Sequence, residues 1–168
     1  MPHERHLLRG AGGPGLQRGR RPRRQEGQGN APALRLSRLR CQSVQPLSSQ
    51  LQNFPVQIKL LPPNAPYLHN ADLLIAADCT AYAYGNFHHD FMKNRVTLIG
   101  CPKLDMVDYS EKLTEIFTRN HIRSVTLTRM TVPCCGGLAM AVKRAIEQSG
   151  RQIPLNIVTI SPGGQIIR

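Results

Sequence analysis

Apolar positions fall into short runs separated by turn residues. Asp72-Leu73-Leu74-Ile75-Ala76-Ala77 is continuously apolar after its first residue, the pattern of a strand buried on both faces. Val96–Gly100, Ile122–Met130 and Leu155–Ile160 predict three more strands. Val56-Gln57-Ile58-Lys59-Leu60-Leu61 alternates and predicts a strand with one wet face. Between these runs the spacing turns helical. Tyr84, Phe87 and Phe91 predict a helix over about 85–93 whose rings are core. Tyr109, Leu113, Ile116 and Phe117 predict one over 109–119, with Asp105 and Asp108 as capping residues. Leu138, Ala141, Val142, Ala145 and Ile146 predict one over 137–149, stopped by Gly150. Residues 67–71 read as a single helical turn, Cys101-Pro102-Lys103 and Pro162-Gly163-Gly164 as turns, and Gln165-Ile166-Ile167 as a trailing end. Five strands alternating with three helices predict an α/β fold: a small three-layer domain with a mostly parallel sheet of about five strands and right-handed crossovers.

Charge divides the chain. It has 168 residues and a formal net charge of +12. Residues 1–52 hold ten arginines, no lysine and two acids, whereas residues 53–168 hold twelve Lys+Arg against eight acids. Most of the basicity therefore belongs to the first third, and the domain itself does not read as a nucleic-acid binder. Residues 1–48 are rich in Arg, Gly and Pro and predict a disordered segment, because they offer too little apolar surface to offset ordering entropy. An Arg-rich tail binds nucleic acid non-specifically through phosphates, but no Phe or Tyr in residues 1–52 is there to stack on bases. Leu34–Leu39 suggests a weak helix, and Cys41 beside it reads as a bystander thiol. The start shows no apolar signal-peptide core, and no run reaches the length of a membrane helix. Residues 49–168 are expected to form one α/β domain.

The cysteines change the picture most. Cys79 follows the 72–77 run, Cys101 follows the 96–100 run, and Cys134-Cys135 follow the 122–130 run. If those runs are parallel neighbours, their C-terminal ends line one edge, where open α/β sheets place ligands. Three loops separated by 21 and 32 intervening residues then converge. Four thiolates are a full ligand set for an iron-sulfur cluster, with 4Fe-4S favoured, or for zinc as the lesser choice. The spacing matches neither a zinc knuckle nor the short run of a small ferredoxin. Gly136 and Gly137 leave room for inorganic sulfide, and the helix starting there points N–H groups at the thiolates. Lys103 offsets cluster charge, with His88 and His89 as further candidates. The expected metal ligands are Cys79, Cys101, Cys134 and Cys135, with Gly136 and Gly137 as cluster-adjacent residues. Two readings compete: burial of small thiols, and a redox or nucleophilic Cys134/Cys135 pair activated by the helix start. Asp78 orients the Cys79 loop or is an ordinary turn carboxylate. No Ser-His-Asp pattern, phosphate loop or G-x-G-x-x-G signature is present.

Several blocks resemble a known family. Pro55–Pro66, Ala71–Cys79, Leu98-Ile99-Gly100-Cys101-Pro102-Lys103-Leu104-Asp105 and Val132-Pro133-Cys134-Cys135-Gly136-Gly137 are similar to prokaryotic iron-sulfur proteins named as ferredoxin or ferredoxin-domain proteins. The resemblance covers about residues 49–168 and corresponds to the C-terminal α/β domain of that family. It implies a domain accessory to a ferredoxin module with two cluster-binding cysteine runs. Here residues 1–48 carry only Cys41 and no C-x2-C-x2-C, so that module and its electron transfer are not carried over. The Cys-Cys-Gly triplet is also similar, over that short motif alone, to the cluster motif of heterodisulfide-reductase subunits.

The expectation is an iron-sulfur, ferredoxin-related protein whose cluster binding is linked to electron transfer. Its partner would be a redox protein, such as a separate ferredoxin, in a reducing cytoplasm without membrane attachment. The alternatives are a thiol-redox enzyme using Cys134 and Cys135, and a non-catalytic interaction domain.

Overall fold

The computed structural model describes residues 47–167. The chain order is β1 (Asp72–Ala77), α1 (Thr80–Ala83), β2 (Val96–Gly100), α2 (Pro102–Asp105), α3 (Ser110–Arg119), β3 (Ser124–Met130), α4 (Gly136–Ser149), β4 (Leu155–Ile160) and β5 (Ile166–Ile167). The strands form one sheet in the order β2-β1-β3-β4-β5. The first four are mutually parallel, and β5 runs antiparallel to β4. The architecture is the expected α/β domain with a five-stranded, mostly parallel sheet.

The chain leaves β1 for β2 on one side and returns past β1 to β3 on the other. Right-handed crossovers then send the β1–β2 connection to one face and both long helices to the opposite face. α3 and α4 do pack against each other. The reversal creates a switch point between β1 and β3, where such sheets bind ligands.

Register builds the core. Leu73 and Ile75 of β1 lie beside Val96 and Leu98 of β2 and Val125 and Leu127 of β3. These share a face because alternate residues of a strand point the same way. Leu113, Ile116 and Phe117 of α3 and Leu138, Val142 and Ala145 of α4 are all buried in the same core cluster. Each fully buried Leu, Ile or Phe stabilises the fold by roughly 1.5–3 kcal/mol relative to exposure. Gly150 ends α4 at φ 65°, a left-handed position that suits glycine. On the opposite face Phe87, Phe91 and Met92 are buried, and Tyr84 packs edge-on to Phe91 with centroids 5.3 Å apart.

The structure corrects four expectations. Val56–Leu61 is not a strand. Gln57 makes a single parallel bridge to Ile99, and Ile58–Leu60 then turns into a 3-10 helix. The buried residues are Ile58, Leu61, Ala65 and Leu68. Their steps of three and four residues suit helical turns better than an alternating strand. The fifth strand is instead Ile166–Ile167, which folds back on β4 through the Pro162-Gly163-Gly164 turn. Gly164 sits at φ 78°, and a side chain there would run into the carbonyl oxygen of Ala83. Cys101-Pro102-Lys103 opens the short helix α2 rather than a plain turn. The helix expected over 85–93 is a π-type turn, His88–Met92, separate from α1. Cys41, the weak helix at Leu34–Leu39 and nearly all of the segment expected to be disordered lie outside the described residues. Among the described residues no helix is long and apolar enough to cross a membrane.

Candidate functional site

Three adjacent strands deliver the cysteines to one edge. β1 ends at Ala77 and leads through Asp78 to Cys79. β2 ends at Gly100 and leads to Cys101. β3 ends at Met130, and the chain reaches Cys134 and Cys135 through the 3-10 turn Pro133–Cys135 that precedes α4. Because β2, β1 and β3 are neighbours, all three loops leave the C-terminal edge around the switch point. All four cysteines are free. Cys79 and Cys134 are exposed, Cys101 is half-buried and Cys135 is buried.

Cys101, Cys134 and Cys135 sit close enough to influence one another. Burial pushes the Cys135 thiol above its ordinary range, and the Cys134 and Cys101 sulfurs add to the rise. A backbone hydrogen bond from Met130 to Cys135 opposes it. Cys79 is not among the groups that act on Cys135. Among the described residues no three His, Cys, Asp or Glu side chains gather closely enough to hold one metal ion. Bringing all four thiols onto one group therefore requires the exposed Cys79 and Cys134 to turn inward.

The start of α4 favours negative charge beside these thiols. No side chain caps it and its first turn holds no acid, so the helix dipole there favours negative charge, although the Cys135 and Gly136 N–H groups are already bonded to Val132 and Pro133 in the preceding 3-10 turn. The Gly136 position is open: a Cβ placed there meets nothing within 4 Å. Gly137 abuts Pro102, whose Cβ would lie 3.6 Å from a Gly137 Cβ, so the loops of Cys101 and Cys135 are packed together. Lys103 is exposed on α2.

An acidic cluster adjoins the thiols and was not legible as such in the sequence. The Tyr109 hydroxyl donates to Asp105, and a backbone hydrogen bond from Cys101 reaches the same phenol. Burial and the Asp105 carboxylate hold the Tyr109 phenol far above its usual range. Burial, then repulsion from Asp105, raises Asp78. Asp78 Oδ1 is buried and has no hydrogen-bond partner. Asp105 therefore serves the phenol and does not cap a helix. The four-residue spacing of Asp105 and Tyr109 is the available sequence signal, but α2 ends between them. Asp108 behaves as expected, accepting from the Ser110 N–H at 2.9 Å, and it also pairs with Arg144.

His88 and His89 lie on the β1–β2 connection. His88 Nδ1 accepts from the Gln50 N–H, and His89 pairs with Asp90. A surface depression of about 680 Å³ lies at the far end of α4 around Gly150 and Arg151 and has no cysteine in its wall.

Residues 65–168 match the family described as Rossmann-like domain. A protein of Archaeoglobus fulgidus described as "Uncharacterized protein" is 34% identical over 104 residues, which cover 61% of this chain and 73% of that protein. No solved structure matches.

Proposed function

The chain belongs to the Rossmann-like domain family, and from that premise we propose that its C-terminal sheet edge holds an iron-sulfur cluster through thiolates, with 4Fe-4S favoured over zinc, in the service of electron transfer. One observation carries the reading: four free cysteines leave three adjacent parallel strands at the switch point. Cys79, Cys101, Cys134 and Cys135 are the ligand set. A cluster supplies one-electron chemistry there. The uncapped start of α4 stabilises thiolate charge, and the open space at Gly136 admits bulk beside the backbone. The resemblance of the Cys-Pro-Lys-Leu-Asp and Pro-Cys-Cys-Gly-Gly blocks to ferredoxin-domain proteins supports the same reading.

The rim suits a protein partner. Tyr82 is 94% exposed, Leu104 76%, Met106 89% and Met140 62%. Each lies three to five residues beyond a site cysteine, and soft or aromatic side chains of this kind are favoured in contact surfaces. The partner proposed is a redox protein, such as a separate ferredoxin, and the compartment is a reducing cytoplasm.

A second reading is favoured by the closeness of Cys134 and Cys101 to Cys135. It is disulfide exchange: the exposed Cys134 thiolate attacks a substrate disulfide and displaces one thiolate. Cys101 then attacks the mixed disulfide, leaving an internal disulfide and releasing the second substrate thiol.

The test is an iron and acid-labile sulfide assay on the full chain purified without oxygen, repeated with Cys134→Ser. Near-stoichiometric iron and sulfide, lost in the variant, is the expected result. Folded protein without metal that reduces a small disulfide through Cys134 would replace the cluster with the exchange reaction. Folded protein with neither property would leave an interaction domain.

A further inference from the structure

A cavity of about 410 Å³ opens beside the same edge, on the face opposite α3 and α4. Its wall is mostly apolar, including Val56, Ala76, Phe87, Met92 and Ile99, and the exposed Tyr82 ring stands at its rim. Five polar residues, Ser49, Asp78, Thr80, His88 and Thr97, interrupt that wall, and Ser49, Thr80 and His88 already have hydrogen-bond partners. Among the described residues three buried side-chain polar atoms have no hydrogen-bond partner. Two of them are Asp78 Oδ1 and Thr97 Oγ1, both from this one wall. Buried polar groups are nearly always paired, so an orphaned one calls for an explanation. Thr97 is only 2% exposed. Its backbone is fully engaged, with the N–H donating to Asn53 Oδ1 at 2.8 Å and the carbonyl accepting from Asn53 Nδ2 at 3.0 Å. The threonine is thus fixed in place while its hydroxyl is left unused. A valine would have filled that position without leaving an unpaired hydroxyl.

The charge around the cavity selects the ligand. No Lys or Arg lines it, its one histidine, His88, is already engaged through Nδ1 with the Gln50 N–H, and Asp105 adds negative charge next to Asp78. An anion is therefore repelled. A carboxylate accepts hydrogen bonds, so its partner must donate. An apolar-walled pocket of this size with a few polar groups is the usual form of a small-molecule site.

We propose that this cavity binds a compact nitrogen base, a small cation with an apolar or aromatic body and N–H donors, whose donors reach Asp78 and Thr97 and whose body lies against Phe87 and Met92. No cysteine lines this cavity, although Asp78 directly precedes Cys79 and so joins the two sites.

The probe is benzamidine, with benzoate as the control of similar shape and opposite charge. The full chain labelled with 15N is titrated with each. Benzamidine is expected to give saturable amide shifts at Ala76, Thr97 and Ile99, and benzoate none. Thr97→Val should weaken benzamidine about tenfold, the loss of one hydrogen bond to a charged donor. The same change should leave the thermal midpoint equal or higher, because it deletes an unpaired buried hydroxyl at constant shape. Ala81→Leu, at an exposed wall position on α1, should also weaken binding without loss of fold. Benzamidine shifts absent from the wall, equal binding of benzoate, or unchanged affinity in Thr97→Val would each overturn the proposal. None of these readouts involves iron or thiol oxidation, so failure here is distinct from failure of the cluster reading.

Discussion

Tyr109 occupies the space that a side chain on Gly100 would need. A Cβ on Gly100 would lie 2.6 Å from the Tyr109 hydroxyl oxygen and 2.8 Å from the ring carbon that carries it. The phenol is buried and committed to Asp105, so it has little freedom to retreat. The strand end before Cys101, the start of α3 and the acidic cluster are locked by this one contact.

Gly100→Ala should therefore destabilise the protein by about 1–3 kcal/mol, the usual cost of forcing extra bulk into a packed core. Chemical denaturation measures it. Tyr109→Phe in the same chain should recover part of the loss, since the hydroxyl is the nearest clash and the ring carbon remains. A Gly100→Ala protein as stable as the parent would mean that Tyr109 is not held where it is described.

The exposures of the four thiols predict an order of alkylation. In metal-free protein Cys79 and Cys134 are exposed and should react with iodoacetamide first, Cys101 next and Cys135 last. Burial keeps Cys135 protonated as well as shielded, and the thiolate is the reactive form. Mass spectrometry of timed samples reads the order. After anaerobic loading with iron and sulfide all four should be protected together. Cys79 still reacting freely would remove it from the ligand set.

Much of this arrangement was legible in the sequence. The run Leu73–Ala77 could only be a strand buried on both faces, and the register of β1 between β2 and β3 explains why. That Cys79, Cys101 and Cys134-Cys135 leave one sheet edge followed from reading their runs as parallel strands, whereas the neighbouring order of β2, β1 and β3 is seen only in the fold. The misreadings have physical causes. Val56, Ile58 and Leu60 alternate, but Ile58 and Leu61 are the residues actually buried, and the flanking Pro55, Pro62 and Pro63 lack the N–H groups that would extend the single Gln57–Ile99 bridge into a ladder. β5 has two residues and so no period to detect. The pairing of Asp105 with Tyr109, and the unpartnered Asp78 and Thr97, arise from tertiary packing that local patterns do not encode.

Asp108 and Asp78 should give opposite pH signatures. The Ser110 N–H and hydroxyl, then Arg144, hold Asp108 below its ordinary 3.8. Its contribution is present above that value and is lost as pH falls through the lowered folded pKa. Asp108→Ala should cost about 1 kcal/mol at neutral pH as a lost helix cap, and the difference from the parent should shrink in acid. Asp78 is raised by burial and by Asp105 from the same 3.8. Its contribution is complete below 3.8 and is lost as pH rises through the raised folded pKa. Asp78→Asn, permanently neutral, should therefore gain stability relative to the parent as pH rises. Denaturation midpoints between pH 3 and pH 8 separate the two. Parallel trends in both variants would contradict these environments.

The apolar rim makes the last prediction. Leu104 and Met106 project from the Cys101 loop and are 76% and 89% exposed, so neither contributes much to the core. Leu104→Ser with Met106→Ser should change stability by less than about 0.5 kcal/mol per site, the usual effect of surface substitutions. A partner that docks over the thiols, by contrast, loses its apolar anchors. Reduction of the iron-loaded protein by a reduced ferredoxin should slow at least about tenfold, consistent with about 1.4 kcal/mol of lost contact. Reduction by dithionite, which needs no docking surface, should be unchanged. Equal slowing with both reductants would trace the effect to the site itself, and no slowing with either would remove the rim as the place where a redox protein binds.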